Sequence, residues 1–223
     1  MIVPHLSYGL VLALLVACGG ERPAHLPDDP PPHPDGDRGR VVFLGTSLTA
    51  GLGLDPANAY PALIQAKIDS AGLPYTAVNA GVSGETSAGA LRRIDWLLQQ
   101  PVAVLVIETG ANDALRGLDV DTMSANIQGI IDRARKLNPS PAIVLVGMRA
   151  PPNLGPDYVR RFRAVFPALA EKNKIPLVPF LLDGVAGRPS LNQGDMIHPT
   201  AQGQRIMAET MWRVIGPLLK GAG

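Results

Sequence analysis

Five residues of this 223-residue chain combine types and positions suited to nucleophilic chemistry: Ser47, Gly84, Asn112, Asp195 and His198. A serine hydroxyl becomes a nucleophile when a neutral imidazole takes its proton, and the imidazole needs a third group to fix its tautomer and steady the imidazolium. His5, His25 and His33 lie near the start of the chain, so His198 is the single histidine in everything that follows. Asp195 precedes it by three residues, close enough within a turn for the carboxylate to hold the Nδ1 proton. Acyl transfer through a tetrahedral intermediate also needs donors aimed at the developing oxyanion. The N–H of Ser47, the N–H of Gly84 (where a side chain would obstruct a substrate) and the side-chain amide of Asn112 suit that role. Singly, each has a plainer reading. A serine after a strand commonly caps a helix, Asn112-Asp113 is ordinary turn chemistry, and a lone histidine is more often structural.

The elements that must bring these residues together are legible as apolar runs. Val41–Leu44, Tyr75–Asn79, Val102–Ile107, Ala142–Met148 and Leu177–Phe180 read as strands, the third and fourth apolar without alternation, as in strands buried on both faces. Met123, Ile127, Ile130, Ala134 and Leu137 recur at helical spacing, as do Met207, Met211, Val214 and Leu218, which predicts two helices with one buried stripe each. Strand and helix in alternation predict an α/β protein with a parallel sheet covered on both faces. Ligands of such sheets bind beyond the carboxyl ends of the strands. The segments there are Gly45–Gly51, Asn79–Thr86, Glu108–Asp113 and Asp195–Pro199, so the candidate residues converge on one edge.

Composition narrows the alternatives. Twenty basic against 19 acidic residues and 4% aromatics offer neither a phosphate-tracking surface nor stacking platforms, which argues against nucleic-acid binding. A single cysteine, Cys18, excludes an intramolecular disulfide and a Cys-based zinc or iron-sulfur site. One histidine beyond residue 33 excludes a multi-histidine metal site, and no metal or cofactor is expected.

The start of the chain reads as a targeting segment. An apolar run of about ten residues, too short to span a bilayer comfortably, ends at Leu15-Val16-Ala17-Cys18 and suits a signal-peptide core. Leu15-Val16-Ala17-Cys18 resembles the lipobox of bacterial lipoprotein signals, in which the cysteine is lipidated, although no Lys or Arg precedes the run. The alternative is a buried apolar strand with an incidental cysteine. Residues 19–40 are rich in Pro, Gly and Asp and read as a solvated tether. The expected division is a signal peptide (1–17), a lipidated cysteine with a linker (18–40) and a catalytic domain (41–223). The lipobox implies export to the periplasmic side, and Gly19 after the cysteine implies the outer membrane. Lipid anchoring would make the membrane a partner, and no obligate protein partner is evident.

At the five chemical residues the chain resembles the SGNH, or GDSL, hydrolases, in particular their thioesterase, lysophospholipase and arylesterase branch. Gly45-Thr46-Ser47-Leu48, Ser83-Gly84-Glu85-Thr86-Ser87, Gly110-Ala111-Asn112-Asp113 and Asp195-Met196-Ile197-His198-Pro199 correspond to the family's four blocks in order. The resemblance implies a three-layer α/β/α flavodoxin-like sandwich with a five-stranded parallel sheet. It also implies a cofactor-free serine esterase acting on a small ester or lipid. It places the oxyanion glycine at Gly84, with Gly81 as the fallback. Thr46 stands where the family usually has Asp, so changed local hydrogen bonding and a shifted pH profile are expected, without loss of catalysis. Thr49 ends the possibility of a Gly-x-Ser-x-Gly elbow. The resemblance further implies an acyl-contact loop at Ala114, Leu115, Arg116, Gly117 and Leu118, against the alternative of an ordinary connection. Two other functions remain open: a polysaccharide deacetylase of the same mechanism, and a non-enzymatic lipoprotein binding a phosphorylated ligand at Gly45–Gly53. That segment lacks both Gly-x-Gly-x-x-Gly and the Walker Lys-Ser/Thr.

Overall fold

A computed structural model describes residues 38–137 and 139–221 of the chain. The signal segment, His5, Cys18, His25, His33 and the tether up to residue 37 lie outside the described residues. Strands and helices alternate as β1 (Gly39–Gly45), α1 (Ser47–Ala50), α2 (Tyr60–Ser70), β2 (Tyr75–Gly81), α3 (Ser87–Leu97) and β3 (Val104–Glu108). There follow α4 (Ala111–Leu115), α5 (Val120–Arg135), β4 (Ala142–Val146), α6 (Pro156–Asn173), β5 (Leu177–Val178) and α7 (Ala201–Gly221).

All strand pairings are parallel, in the order β2-β1-β3-β4-β5. Val41 to Leu44 of β1 and Leu105 to Ile107 of β3 are wholly buried, because helices cover both faces of the sheet. On one side α2 packs on α7, while α3, α5 and α6 pack side by side. The chain leaves β1 for β2 and then crosses back to β3, so the order reverses at β1/β3. A crevice opens at such a switch point, beyond the carboxyl ends of the strands.

Several boundaries differ from the sequence reading for identifiable reasons. β1 begins at Gly39, two residues inside the expected tether, because Gly39 N–H donates to the Pro74 carbonyl (2.9 Å) and Arg40 pairs with Thr76. Backbone pairing of this kind needs no apolar side chain and leaves no hydropathy signal. β2 runs on to Gly81, in register with Gly45, and β3 is shifted to Val104–Glu108. The Leu177–Phe180 run shortens to Leu177–Val178 because Pro179 has no N–H to give the ladder. In α5 the expected Met123, Ile127, Ile130 and Ala134 are buried. In α7 the buried line is Met207, Met211, Ile215 and Leu219, stepping by four throughout, and the expected Val214 and Leu218 flank it half-buried.

Candidate active site

Ser47 sits on the tight turn from β1 into α1, where Thr46 is the N-cap and Gly51, in left-handed conformation (φ 72°), ends the helix. The turn is crowded from below: a Cβ on Gly45 would lie 1.9 Å from Thr49 Oγ and 2.8 Å from a Glu108 oxygen, which requires glycine there. Gln204 of α7, buried, fastens the other side by donating to the Leu48 carbonyl (3.1 Å) and accepting from Tyr60 N–H (2.9 Å).

His198 reaches the serine from the loop between β5 and α7, with Nε2 2.9 Å from Ser47 Oγ. Its Nδ1 lies 2.5 Å from Asp195 Oδ2. The other Asp195 oxygen accepts the N–H groups of Ile197 (2.9 Å) and His198 (3.0 Å), closing a turn in which Met196 takes a positive φ of 60°. The bond to the His198 ring, followed by these backbone bonds, holds the Asp195 carboxyl well below the usual carboxylate range. It is therefore ionised when it faces the imidazole. The spacing Asp195-x-x-His198 thus does what the sequence suggested, by way of a turn.

The three candidate oxyanion donors converge on the same cavity. Among the described residues, neither Ser47 N–H nor Gly84 N–H has a protein acceptor. Gly84 is required by its backbone (φ 77°), since a Cβ there would meet nothing closer than Arg116 Nη2 at 3.7 Å. Gly81, the fallback, instead belongs to β2, donates to Asn79 Oδ1 (3.0 Å) and does not line the cavity. Asn112 gives one amide hydrogen to the Glu85 carbonyl (2.9 Å), which leaves the other free for a ligand. The turn bearing Gly84 is braced by Arg93, whose guanidinium makes a two-pronged pair with Glu85 (2.7 Å for each prong) and donates to the Ala80 carbonyl (2.7 Å). Asp113 braces the Asn112 side by accepting both the N–H and the hydroxyl of Ser87.

The cavity beside Ser47 has a volume of about 530 Å³ and mainly apolar walls, among them Leu48, Leu52, Leu115, Met148, Phe180 and Ile197. Among the described lining residues Phe180 is the one Phe, Tyr or Trp, and the Arg149 guanidinium stacks on that ring at 4.1 Å. Of the expected acyl-contact loop, Leu115 alone lines the cavity. Ala114 is buried in the core, Arg116 donates to the Gly84 carbonyl (2.8 Å), and Gly117 and Leu118 lie off the cavity. In α4 the successive side chains of Ala114 and Leu115 point in different directions, and the chain turns away from the helix at Arg116. Among the described residues no cluster of His, Cys, Asp or Glu could hold a metal ion, and no helix is long and apolar enough to cross a membrane.

Sequence reasoning missed Glu108, the last residue of β3 and wholly buried. Its carboxyl accepts Thr46 N–H (2.8 Å), the Thr46 hydroxyl (3.0 and 3.1 Å) and the Thr49 hydroxyl (2.8 Å). Burial pushes its pKa up to about 7, against the hydrogen bonds from Thr46 and Thr49, which lower it. Thr49 Oγ is also 2.8 Å from the hydroxyl of buried Tyr60, whose pKa is raised by burial and then by the Glu108 charge. Thr46, which stands where the family usually has Asp, gives both its N–H and its hydroxyl to Glu108. A charged residue ending an otherwise apolar strand was the available signal.

Residues 43–206 match the GDSL-like Lipase/Acylhydrolase family. The chain is 39% identical over 180 residues to the esterase TesA of Pseudomonas aeruginosa, covering 80% of this chain and 89% of that protein. It is 36% identical over 181 residues to thioesterase 1/protease 1/lysophospholipase L1 of Escherichia coli, covering 80% and 84%. The crystal structure of the psychrotrophic esterase EstA from Pseudoalteromonas sp., inhibited by monoethylphosphonate, superimposes with a TM-score of 0.76 at 34% identity, covering 81% of this chain and 98% of that one.

Proposed function

The chain belongs to the GDSL-like lipase/acylhydrolase family and is a hydrolase of ester bonds, and on that premise we propose that it works through an acyl-enzyme on Ser47. The observation that carries this reading is the continuous line Asp195 Oδ2, His198 Nδ1, His198 Nε2, Ser47 Oγ, with links of 2.5 and 2.9 Å. In it Ser47 Oγ attacks the ester carbonyl while His198 Nε2 takes the hydroxyl proton. The carbonyl oxygen, now negative, is met by the N–H groups of Ser47 and Gly84 and the Asn112 amide. His198 returns the proton to the departing alcohol or thiol as the carbonyl reforms. A water then repeats the sequence on the acyl-enzyme, with His198 again as base, and releases the acid and free Ser47.

The apolar cavity, of a size ordinary for small-ligand sites of roughly 300–1,000 Å³, supports an aryl or short-to-medium acyl ester as substrate, with thioesters and lysophospholipids in the same chemical range. Among the described lining residues Phe180 is the only Phe, Tyr or Trp, and Arg149 lies over its ring, which leaves little aromatic surface for a sugar to stack on and disfavours the polysaccharide reading. A fluorophosphonate reagent should label the chain at Ser47, and a panel of aryl esters from about two to sixteen carbons, acyl-CoA and lysophospholipid should be hydrolysed. Ser47→Ala should lose both the label and the hydrolysis. Equal labelling of the two proteins would overturn the assignment.

We also propose that Cys18 anchors the enzyme to the outer membrane on the periplasmic side. Support comes from Leu15-Val16-Ala17-Cys18 and the Pro-rich segment that follows. Cys18→Ser should move the protein from the membrane fraction to the soluble fraction, and identical partition of both forms would refute the anchor.

A further inference from the structure

We propose that Glu108 is a positioning residue for the nucleophile: its carboxylate holds Thr46 and Thr49, on either side of Ser47-Leu48, and so aims both the N–H and the hydroxyl of Ser47. The proposal rests on the reading of Ser47 as nucleophile. Glu108 has no cation within ion-pairing distance among the described residues, although it is wholly buried. An unpaired buried carboxylate is unfavourable unless hydrogen bonds compensate it. Here the compensation comes wholly from the nucleophile turn and its backing.

The donors run in one consistent direction. Thr46 gives its N–H and hydroxyl and Thr49 gives its hydroxyl to Glu108, so Thr49 Oγ is left to accept from Tyr60. Every hydrogen in this chain has an acceptor when Glu108 is ionised and accepts only. A protonated carboxyl must donate one of these bonds, which reverses either Thr46 or the Thr49–Tyr60 link. The Ser47 turn therefore feels the protonation state of a residue that does not touch the cavity.

The groups facing this cluster are few. Tyr60 faces it from α2 through Thr49. The Arg93–Glu85 pair approaches from the α3 side, with Arg93 Nη2 3.5 Å from the Gly45 carbonyl. His198 and Asp195 meet the turn through Ser47 Oγ. Because burial pushes Glu108 up to about 7, the change from accepting to donating carboxyl falls on the acid side of neutral pH.

The test is steady-state hydrolysis of a soluble aryl acetate by Glu108→Gln, Thr49→Val, Thr49→Ser and Ser47→Ala, with folding checked by circular dichroism. Small misplacements of a reacting group cost about tenfold to a hundredfold. Glu108→Gln and Thr49→Val should therefore lose about that much kcat with KM within about twofold. Through the pH range in which Glu108 takes up its proton, the acid limb of log kcat/KM should be steeper in the parent than in Glu108→Gln. Thr49→Ser, which restores the hydroxyl, should recover to within about threefold of the parent. The proposal is overturned if folded Glu108→Gln keeps its kcat and acid limb, or if Thr49→Ser is as impaired as Thr49→Val. Should Glu108→Gln not fold, the Thr49 pair decides alone. Activity surviving in Ser47→Ala would instead remove the nucleophile assignment beneath it.

Discussion

Glu108 makes a stability prediction that is separate from its role at the nucleophile. Its folded pKa of about 7 exceeds the reference value of 4.5, with burial as the main cause. The folded state therefore binds this proton more tightly than the unfolded chain does. By linkage, its stabilising contribution is fully present below the unfolded value and is lost as pH rises through the folded one. The difference of about 2.5 units, at about 1.4 kcal/mol per unit, amounts to about 3 kcal/mol between pH 4.5 and 7. For a domain of this size, that corresponds to roughly 6–12 °C in Tm. Urea unfolding of the parent and Glu108→Gln at half-unit steps from pH 4.5 to 8 isolates the effect, because all other titrations are common to both proteins. The stability of the parent relative to the variant should fall by about 3 kcal/mol over that interval and then level off. A difference that stays constant, or grows with pH, would refute the reasoning by showing that the hydrogen bonds from Thr46 and Thr49 outweigh burial.

Three further outcomes follow from the site. Asp195→Asn keeps an oxygen for the N–H groups of Ile197 and His198 but sets an amide against His198 Nδ1, which traps the wrong tautomer. Steady-state kinetics and thermal melts should show it retaining more stability than Asp195→Ala while losing about 10³-fold or more in kcat; near-parental turnover would remove Asp195 from the mechanism. Gly84→Ala forces a left-handed alanine, a strain of about 1–2 kcal/mol, and should lower kcat by about tenfold or more through the displaced N–H, whereas a shift in Tm with kcat intact would exclude Gly84 as an oxyanion donor. Arg93→Met strands the Glu85 carboxylate and the Ala80 carbonyl and should cost about 2–3 kcal/mol in denaturant unfolding, discounted because Arg93 is partly exposed. Adding Glu85→Gln should restore part of that loss, and strictly additive losses would show that the pair is not coupled.

The sequence by itself determined the α/β alternation, the strands of the central sheet and the residues proposed as the reacting set. Runs such as Val104 to Ile107 sit where both faces are buried, and a side chain that must be apolar everywhere is legible one residue at a time. Ser47, Gly84, Asn112, Asp195 and His198 were readable because chemistry restricts their types and because each follows a strand. Strand ends were less legible. Gly39 and Arg40 pair through backbone alone, and only the register with Tyr75 and Thr76 reveals them. Val214 and Leu218 of α7 do pack against the core but at its margin, because several apolar residues fit a helical period and which line is most deeply buried depends on how α7 lies against the rest of the fold.

Only the tertiary structure decided what supports the reacting set. Glu108 lies 62 positions from Thr46, and Gln204 lies 156 from Leu48, yet each pair is in hydrogen-bond contact. A carboxylate on a strand end reads locally as a solvated turn residue. It becomes a buried acceptor only because β3 pairs with β1 and places the Ser47 turn over it. The same is true of Arg93, whose helix spacing would serve equally well for a surface charge until α3 packs beside the Gly84 turn. Local sequence carries residue chemistry and periodicity, whereas the free energy of a buried polar contact depends on partners supplied by other elements, and those are fixed only when the sheet closes its register.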